Sequence, residues 1–151
     1  RNGIKYTAER SNHYSSRWFT DRNRTLWAAY VLEGAGKRLF WSCDGGYGEQ
    51  FAEFGKKYNG FDAAFVEIDA ANPGWPYTHM FPEQAVQAVQ DLQAKMFLPI
   101  HWGVFDLGVH PWDESIQQAA KTADEKGIPL VAPKLGEKYL FDKPDMPRWW
   151  E

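Results

Sequence analysis

The amino-acid sequence predicts an α/β fold, and two observations support this prediction. Short apolar runs of strand length recur along the chain, each bounded by glycine, proline or polar residues. Between them lie segments in which apolar side chains are spaced three or four residues apart, the period of an α-helix. A length of 151 residues is typical of one domain, and no repeat, low-complexity tract or linker divides it. We therefore predict one unit in which strands alternate with helices.

A β-hairpin is the first predicted element. Two apolar runs, residues 26–33 (LWAAYVLE) and 38–42 (RLFWS), flank a Gly-Ala-Gly turn. The second run leads directly to Cys43, Asp44 and a pair of glycines. Aromatic residues spaced three and four apart then predict a helix over residues 47–58. A strand, a tight turn and a helix therefore follow one another around Asp44.

The second half of the chain continues this alternation. Its predicted elements are a strand over 62–68, a helix that begins at Pro82, a strand over 96–100, a helix over 113–126, and short closing strands over 129–132 and 139–141. Proline is favourable as the first residue of a helix, because the N–H group that it lacks would have no helical partner there. His79 lies in the loop before this helix, and the strand over 96–100 ends at His101.

Composition and charge exclude several classes of protein. The formal net charge is −3, so there is no excess of basic residues for binding the phosphate backbone, and we expect no nucleic-acid partner. The longest apolar run, residues 26–32, is far shorter than the about 20 residues of a membrane-spanning helix. The single cysteine, Cys43, cannot form an internal disulfide, and we expect a small buried apolar residue there. Aromatic residues make up 17% of the chain, and we expect Trp75 and Trp102 to line a pocket.

Three polar residues, His13, Asp44 and His101, stand at the ends of apolar runs, where α/β folds present functional groups. Two imidazoles and one carboxylate form a ligand set that Zn²⁺ and Fe²⁺ accept. The residue types alone leave an alternative open, in which the three side chains are hydrogen-bonded polar groups without a metal. A metal centre is a hypothesis at this point, and the choice between zinc and iron is open.

Four longer blocks of sequence are more specific than these single residues. They are NHYSSRW with DRNRTLW over residues 12–27, SCDGGY over 42–47, HMFPEQAV over 79–86 and PIHWG over 99–103. In this order they resemble the metallo-β-lactamase-fold hydrolases, in the branch that contains N-acyl-phosphatidylethanolamine phospholipase D and the RomA-type proteins. The resemblance extends over most of the chain. It implies that the fold is the C-terminal half of an αββα metallo-β-lactamase sandwich.

The resemblance implies a role for four residues. His13 and His101 each correspond to a ligand of one of two zinc ions, and Asp44 corresponds to the carboxylate that bridges them. His79 corresponds to an active-site histidine outside the metal-ligand set, so we expect a catalytic role for it. A single ion held by His13, Asp44 and His101 is an alternative. His110 also lies in a similar stretch, but we expect a surface role at the start of a helix and leave it out of the site.

The sequence also departs from the family pattern. The block that reads SGDTGY in the family has Cys43 before Asp44 and Gly45 after it; the altered neighbours could change the turn that orients Asp44, although Gly45 tolerates any backbone angle. No HxHxDH motif occurs in the 151 residues, although in the family this motif supplies the other four zinc ligands. We therefore expect residues 1–151 to be the C-terminal part of a metallo-β-lactamase-like domain whose N-terminal half is absent, and we expect this chain alone to be inactive.

For the intact protein, the resemblance implies zinc-dependent hydrolysis of a phosphodiester bond in an N-acyl phospholipid or a related small molecule. Two alternatives stay open: a lactonase or another ester hydrolase of the same fold, and a catalytically inactive fragment. We also expect a homodimer that buries the surface left bare by the missing half. The cellular compartment, cytoplasmic or membrane-associated, is open.

Overall fold

The structure is a computed structural model that describes residues 3–105, 110–141 and 146–151. Within these residues it contains five strands and three helices, which confirms the predicted α/β class. In chain order they are β1 (Lys5–Glu9), β2 (Ala29–Gly34), β3 (Lys37–Trp41), α1 (Gln50–Tyr58), β4 (Ala63–Glu67), α2 (Pro82–Asp91), β5 (Phe97–Ile100) and α3 (Glu114–Glu125).

The five strands form one mixed sheet in the order β1-β2-β3-β4-β5. The pairs β1–β2 and β2–β3 are antiparallel, and the second of them is the predicted hairpin. The pairs β3–β4 and β4–β5 are parallel, with α1 and α2 as their crossover connections. Because β3, β4 and β5 run in the same direction, their C-terminal ends lie at one edge of the sheet. In α/β folds, loops at this edge carry the functional groups.

The hydrophobic core combines side chains of the sheet with side chains of the helices. Phe40 of β3, Val66 of β4 and Val86 of α2 are fully buried members of it. Helix α2 contacts α1, α3 and β4 and is therefore central to the helical layer. Helix α1 approaches the end of α2 closely at Gly55. A Cβ atom at this position would lie only 2.1 Å from the carbonyl oxygen of Asp91, so a larger residue would not fit.

The three helices agree with the predictions to within a few residues. Helix α1 begins at Gln50 rather than at residue 47, and α2 begins at Pro82 as predicted. At the start of α2, the Gln84 side chain accepts a hydrogen bond from the backbone N–H of Phe81 at 3.0 Å. Helix α3 is the longest described helix, with 12 residues. None of the described helices has the length and apolar character needed to span a bilayer.

No pattern in the sequence predicts β1. None of the five residues of its sequence, KYTAE, is buried, and Tyr6 is 56% exposed. The strand is instead held by its backbone ladder to β2, in which Lys5 lies opposite Glu33 and donates a hydrogen bond to it at 2.9 Å. An edge strand that buries little apolar surface leaves little hydrophobic signal in its sequence.

The two predicted closing strands are wrong. Residues 129–132 form only an isolated parallel bridge, in which Leu130 pairs with Phe97 of β5. Pro129 at the start of this run and Pro133 directly after it lack the N–H groups that a longer ladder requires. Residues 139–141 form no strand, and Tyr139 packs against a small buried cluster of Ala63, Leu98 and Val131.

The partly buried carboxylate of Asp62 connects β3 to the start of β4. Its loss is expected to cost about 1 kcal/mol at pH 7. Asp62 Oδ2 accepts the backbone N–H of Arg38, and Oδ1 accepts Lys95 Nζ, both at 2.9 Å. These contacts hold the pKa of the Asp62 carboxyl below its ordinary 3.8, and the hydrogen bond from the Arg38 N–H makes the largest contribution. The stabilisation is therefore present above about pH 3.8 and is lost as the pH falls through the lower folded-state pKa.

Urea unfolding of the Asp62→Asn variant at pH 7 and at about pH 2.5 measures this effect. We expect the difference in unfolding free energy from the wild type to shrink at the lower pH. Asp124→Asn is the matched control, because Asp124 pairs with Arg148 on the surface and contributes less than about 0.5 kcal/mol. A difference for Asp62→Asn that does not change with pH would contradict the assignment.

Candidate metal centre

Four segments bring the predicted site residues together at the edge where the parallel strands end. His13 lies in the loop after β1, and Asp44 lies in the turn after β3. His79 lies in the loop between β4 and α2, and His101 directly follows β5. The structure therefore places side by side four residues that are far apart in sequence.

The Asp44 carboxylate faces two imidazoles. Its Oδ2 lies 4.0 Å from His13 Nε2, and its Oδ1 lies 3.5 Å from His101 Nε2. The ring of His79 contacts both of the other rings, with centroid distances of 5.4 Å to His13 and 5.3 Å to His101. Because each carboxylate oxygen faces a different imidazole, Asp44 is arranged as a group that two metal positions can share.

His13 has the properties of a metal ligand. Its Nδ1 is 2.8 Å from the carbonyl oxygen of Tyr14, which can only accept a hydrogen bond, so the ring proton lies on Nδ1. Its Nε2 then carries a free lone pair, yet this atom is buried and has no hydrogen-bond partner within the described residues. An unpaired buried nitrogen is costly unless something else binds it. The donor set His13, Asp44 and His101 therefore fits a zinc site.

A fully buried carboxylate, Glu67 at the end of β4, also lies in this cluster. Its Oε1 accepts the backbone N–H groups of Gly45 at 3.1 Å and Met80 at 3.2 Å. Its Oε2 accepts Nδ1 of His79 at 2.7 Å and lies 3.7 Å from Nδ1 of His101. The motifs do not identify Glu67. In the sequence, the only indication of its role is that a charged residue stands within the apolar run over 62–68.

Glu67, His79 and His101 offer ligand atoms that all lie within 4.8 Å of one another, and no other group of described residues does so. We interpret this group as a hydrogen-bonded cluster rather than as the ligands of one metal ion. Two ligand atoms of one tetrahedral zinc ion are about 3.4 Å apart, whereas the 2.7 Å between Glu67 and His79 is a hydrogen-bond distance. The ligand atoms of His13, Asp44 and His101 are not all this close to one another, which disfavours the alternative of one ion held by all three.

Burial and pairing shift the pKa values of Glu67 and His79. Burial raises the pKa of the Glu67 carboxyl above its ordinary value, and the hydrogen bond and charge of His79 offset part of this rise. Burial alone would lower the pKa of His79, but the hydrogen bond and charge of Glu67 outweigh it and raise the pKa above 6.5. The two side chains therefore form a hydrogen-bonded pair in which the protonation of each depends on the other.

The turn after Asp44 requires glycines for space rather than for backbone angle. A Cβ at Gly45 would lie 2.2 Å from Ser11 Oγ, and a Cβ at Gly46 would lie 2.2 Å from the carbonyl oxygen of Tyr77. The Gly46 N–H also donates to the carbonyl of Asn12 at 2.9 Å. This turn therefore packs directly against the loops that carry His13 and His79.

The left-handed backbone conformation lies one residue earlier, at Cys43, with φ of 53°. His101 has a similar φ of 62°, so both of these non-glycine residues at strand ends are strained. Cys43 is half-buried rather than fully buried as expected. Burial, with a contribution from Asp44, raises the pKa of its thiol above the ordinary value.

Three clefts open beside the metal-ligand residues, and one of them, of about 430 Å³, is lined by His13, Asp44 and neighbouring residues. Of the other two, the one beside His79 is called the larger cleft and the one beside His101 the smaller cleft. A cleft of about 410 Å³ is lined by Tyr14, Arg22, Ala70, Trp75, Thr78 and His79. A smaller cleft of about 200 Å³ is lined by Asp69, Ala70, His101, Trp102, Val104 and Phe105. The prediction that Trp75 and Trp102 line pockets is thus confirmed.

His110 is less peripheral than the sequence predicts. Its Nε2 lies 2.9 Å from Oδ1 of the buried Asp69, which also accepts a hydrogen bond from Ser115 Oγ at 3.0 Å. The His110 side chain is 23% exposed, so the expected surface role is only partly correct. Asp69 thus connects His110 and Ser115, at the start of α3, to the segment after β4, beside the smaller cleft.

Comparison with known protein sequences identifies a family for the chain. A family model described as the beta-lactamase superfamily domain matches residues 1–102. An uncharacterised protein of Mycobacterium tuberculosis is 35% identical over 144 residues, which cover 93% of this chain and 38% of that protein. The outer membrane protein RomA of Klebsiella pneumoniae is 36% identical over 93 residues, covering 62% of this chain and 70% of RomA.

A more distant relative has a named activity. N-acyl-phosphatidylethanolamine-hydrolyzing phospholipase D 1 of Caenorhabditis elegans is 27% identical over 135 residues, which cover 84% of this chain and 38% of the relative. Among solved structures, the metallo hydrolase Igni18 of Ignicoccus hospitalis superposes with a TM-score of 0.69 at 17% identity. That match covers 89% of this chain and 52% of Igni18, and it shows that the fold is shared. The chain spans less than two fifths of the mycobacterial and nematode relatives.

Proposed function

Because this chain belongs to the beta-lactamase superfamily, we propose that the intact protein is a zinc-dependent hydrolase and that His13, Asp44 and His101 hold part of its metal centre. The observation that best supports this proposal is the unpaired, buried Nε2 of His13 beside the Asp44 carboxylate. Bound zinc would supply hydroxide at neutral pH and stabilise the negative charge that develops on oxygen during hydrolysis.

The residues of this chain have separate tasks in the proposed reaction. The Tyr14 carbonyl keeps the proton of His13 on Nδ1 and so leaves Nε2 free to bind metal. Asp44 presents one oxygen toward His13 and the other toward His101. His79 lines the larger cleft, with Nδ1 paired to Glu67, so its Nε2 is the atom that exchanges a proton with the substrate.

We propose that the substrate is an anionic phosphodiester with an apolar portion, such as an N-acyl phospholipid. The larger cleft combines the guanidinium of Arg22 with the Thr78 hydroxyl and the aromatic walls of Tyr14 and Trp75. No carboxylate is among the described residues that line it. Positive charge beside aromatic surface suits a ligand with an anionic group and an apolar chain. The named activity of the nematode relative involves such a substrate.

The loop that carries Arg22 is braced before any ligand binds. Asp21 Oδ1 accepts the backbone N–H groups of Arg17 at 2.9 Å and Trp18 at 2.8 Å. The guanidinium of Arg22 lies over the ring of Tyr14, 5.0 Å from its centroid, and this ring in turn stacks on His13. Arg22 is therefore held next to a metal-ligand residue, where it can bind a phosphodiester oxygen.

Substitution of Arg22 by Gln in the full-length protein tests this substrate class. We expect kcat/KM for a phosphodiester to fall by about 10-fold or more, because one charge-assisted hydrogen bond is lost. Hydrolysis of a neutral lactone by the same variant should change by less than about threefold. Arg24→Gln is the matched control, since Arg24 is exposed on the same loop and does not line the cleft.

The same assay separates the remaining alternatives. A wild-type protein that hydrolyses lactones faster than phosphodiesters would favour the lactonase alternative. Equal losses for both substrates in Arg22→Gln would show that Arg22 does not recognise the phosphodiester anion. The 151-residue chain supplies three of the seven ligands that the resemblance implies, so we expect it to show no turnover by itself. Turnover by this chain would contradict the assignment of the other ligands.

A further inference from the structure

Glu67 is a buried carboxylate that accepts hydrogen bonds both from the backbone and from a side chain of the site. It is the last residue of β4 and is completely buried. A buried carboxylate is costly unless it is well paired, and an apolar residue would be cheaper at the end of a buried strand. The contacts of its two oxygens therefore indicate what this residue contributes.

The two oxygens of Glu67 have different partners. Oε1 accepts only backbone N–H groups, those of Gly45 and Met80, and so connects the turn after Asp44 to the start of the α2 region. Oε2 faces only imidazoles, with His79 Nδ1 at 2.7 Å and His101 Nδ1 at 3.7 Å. One oxygen supports the backbone, and the other orients side chains of the site.

We propose that Glu67 is a positioning residue that keeps the proton of His79 on Nδ1 and thereby presents Nε2 of His79 to the larger cleft. This inference rests on the proposed function for its catalytic consequence, but not for the tautomer itself. An ionised carboxylate has no proton to donate, so the imidazole nitrogen that faces it must carry one. The neutral ring then has its lone pair on Nε2, the atom that can take a proton.

Substitution of Glu67 by Gln separates the two oxygens. The amide oxygen of Gln can still accept the N–H groups of Gly45 and Met80, so the backbone support is retained. The amide NH₂ group would then face His79 and would donate to Nδ1 instead of accepting from it. The proton of His79 would move to Nε2. A merely structural role of Glu67 does not predict this change of tautomer.

The primary readout is the side-chain ¹⁵N spectrum of the metal-loaded, full-length protein at about pH 9, with His79 assigned from its loss in His79→Gln. We expect the Nδ1–H tautomer of His79 in the wild type and the Nε2–H tautomer in Glu67→Gln. We expect bound zinc to be unchanged, because Glu67 is not a metal ligand. Glu53→Gln, an exposed carboxylate on α1, is the matched control and should leave the His79 signals unchanged.

Kinetics provide a second, independent readout. We expect kcat of Glu67→Gln to fall by about 100-fold or more, with KM within about threefold, as for the loss of a proton-transfer group. The double variant Glu67→Gln/His79→Gln should be no slower than His79→Gln alone, because Glu67 acts through His79. Additive losses in the double variant would contradict this dependence.

The outcomes distinguish failure of this inference from failure of the proposed function. An unchanged His79 tautomer in Glu67→Gln would overturn the inference, whatever the activity. Loss of zinc in Glu67→Gln would also overturn it, because Glu67 would then be a metal ligand. A change of tautomer in a protein whose wild type hydrolyses no phosphodiester would support the positioning role and refute the proposed substrate.

Discussion

Asp44→Asn is expected to lower the hydrolytic turnover of the full-length protein by about 100-fold or more. The Asp44 oxygens lie 4.0 Å from His13 Nε2 and 3.5 Å from His101 Nε2, so the carboxylate is the group that connects the two imidazoles. An amide keeps the shape of the side chain but removes its negative charge and one acceptor oxygen. Both metal positions are therefore expected to weaken together.

Turnover and bound zinc should be measured on the same sample of Asp44→Asn. Asp124→Asn is a suitable control, because that carboxylate lies on α3 and pairs only with Arg148 among the described residues. Full turnover in Asp44→Asn would refute the metal-ligand role of Asp44. A loss of turnover with full zinc content would assign Asp44 to another step and contradict the bridging role.

Gly46→Ala is expected to destabilise the protein by about 1–3 kcal/mol and to displace the loop that carries His79. The added Cβ would lie 2.2 Å from the carbonyl oxygen of Tyr77 and 2.4 Å from its carbonyl carbon. These are backbone atoms, so no side-chain rotation can relieve the clash. Either the turn after Asp44 or the loop before α2 must move, and each of them carries a site residue.

Thermal unfolding and zinc affinity together measure this effect. Gly74→Ala is the matched control, because its Cβ would approach only the Asn72 side chain, at 3.1 Å, and its φ is not in the left-handed region. We expect Gly46→Ala to lower both the Tm and the zinc affinity, and Gly74→Ala to lower neither by much. A Gly46→Ala protein as stable as the Gly74→Ala protein would contradict the close packing of the turn.

The sequence predicts well those elements that bury a continuous apolar face. The strands over 62–68 and 96–100 and the helix from Pro82 are apolar, and the structure has β4, β5 and α2 in these places. By contrast, β1 is held by backbone pairing at the sheet edge and leaves little apolar pattern. The run over 129–132 is apolar, but Pro129 at its start and Pro133 after its end limit it to one bridge. Apolar pattern reports burial, whereas strand formation also needs free backbone partners.

The candidate site is predicted unevenly for a similar reason. His13, Asp44, His79 and His101 stand in motifs with strong resemblance to a family, and the structure brings them together. Glu67 stands in no such motif and lies within an apolar run, so only its three-dimensional contacts reveal it. The pairing of His110 with Asp69 likewise depends on the packing of α3.

The metal content of the full-length protein and its histidine variants tests the central claim most directly. After equilibration with buffered zinc, we expect about two ions per chain in the wild type and about one in each of His13→Gln and His101→Gln. His110→Gln, which changes a histidine outside the metal-ligand set, should retain the wild-type content. Wild-type zinc content in both His13→Gln and His101→Gln would contradict the account.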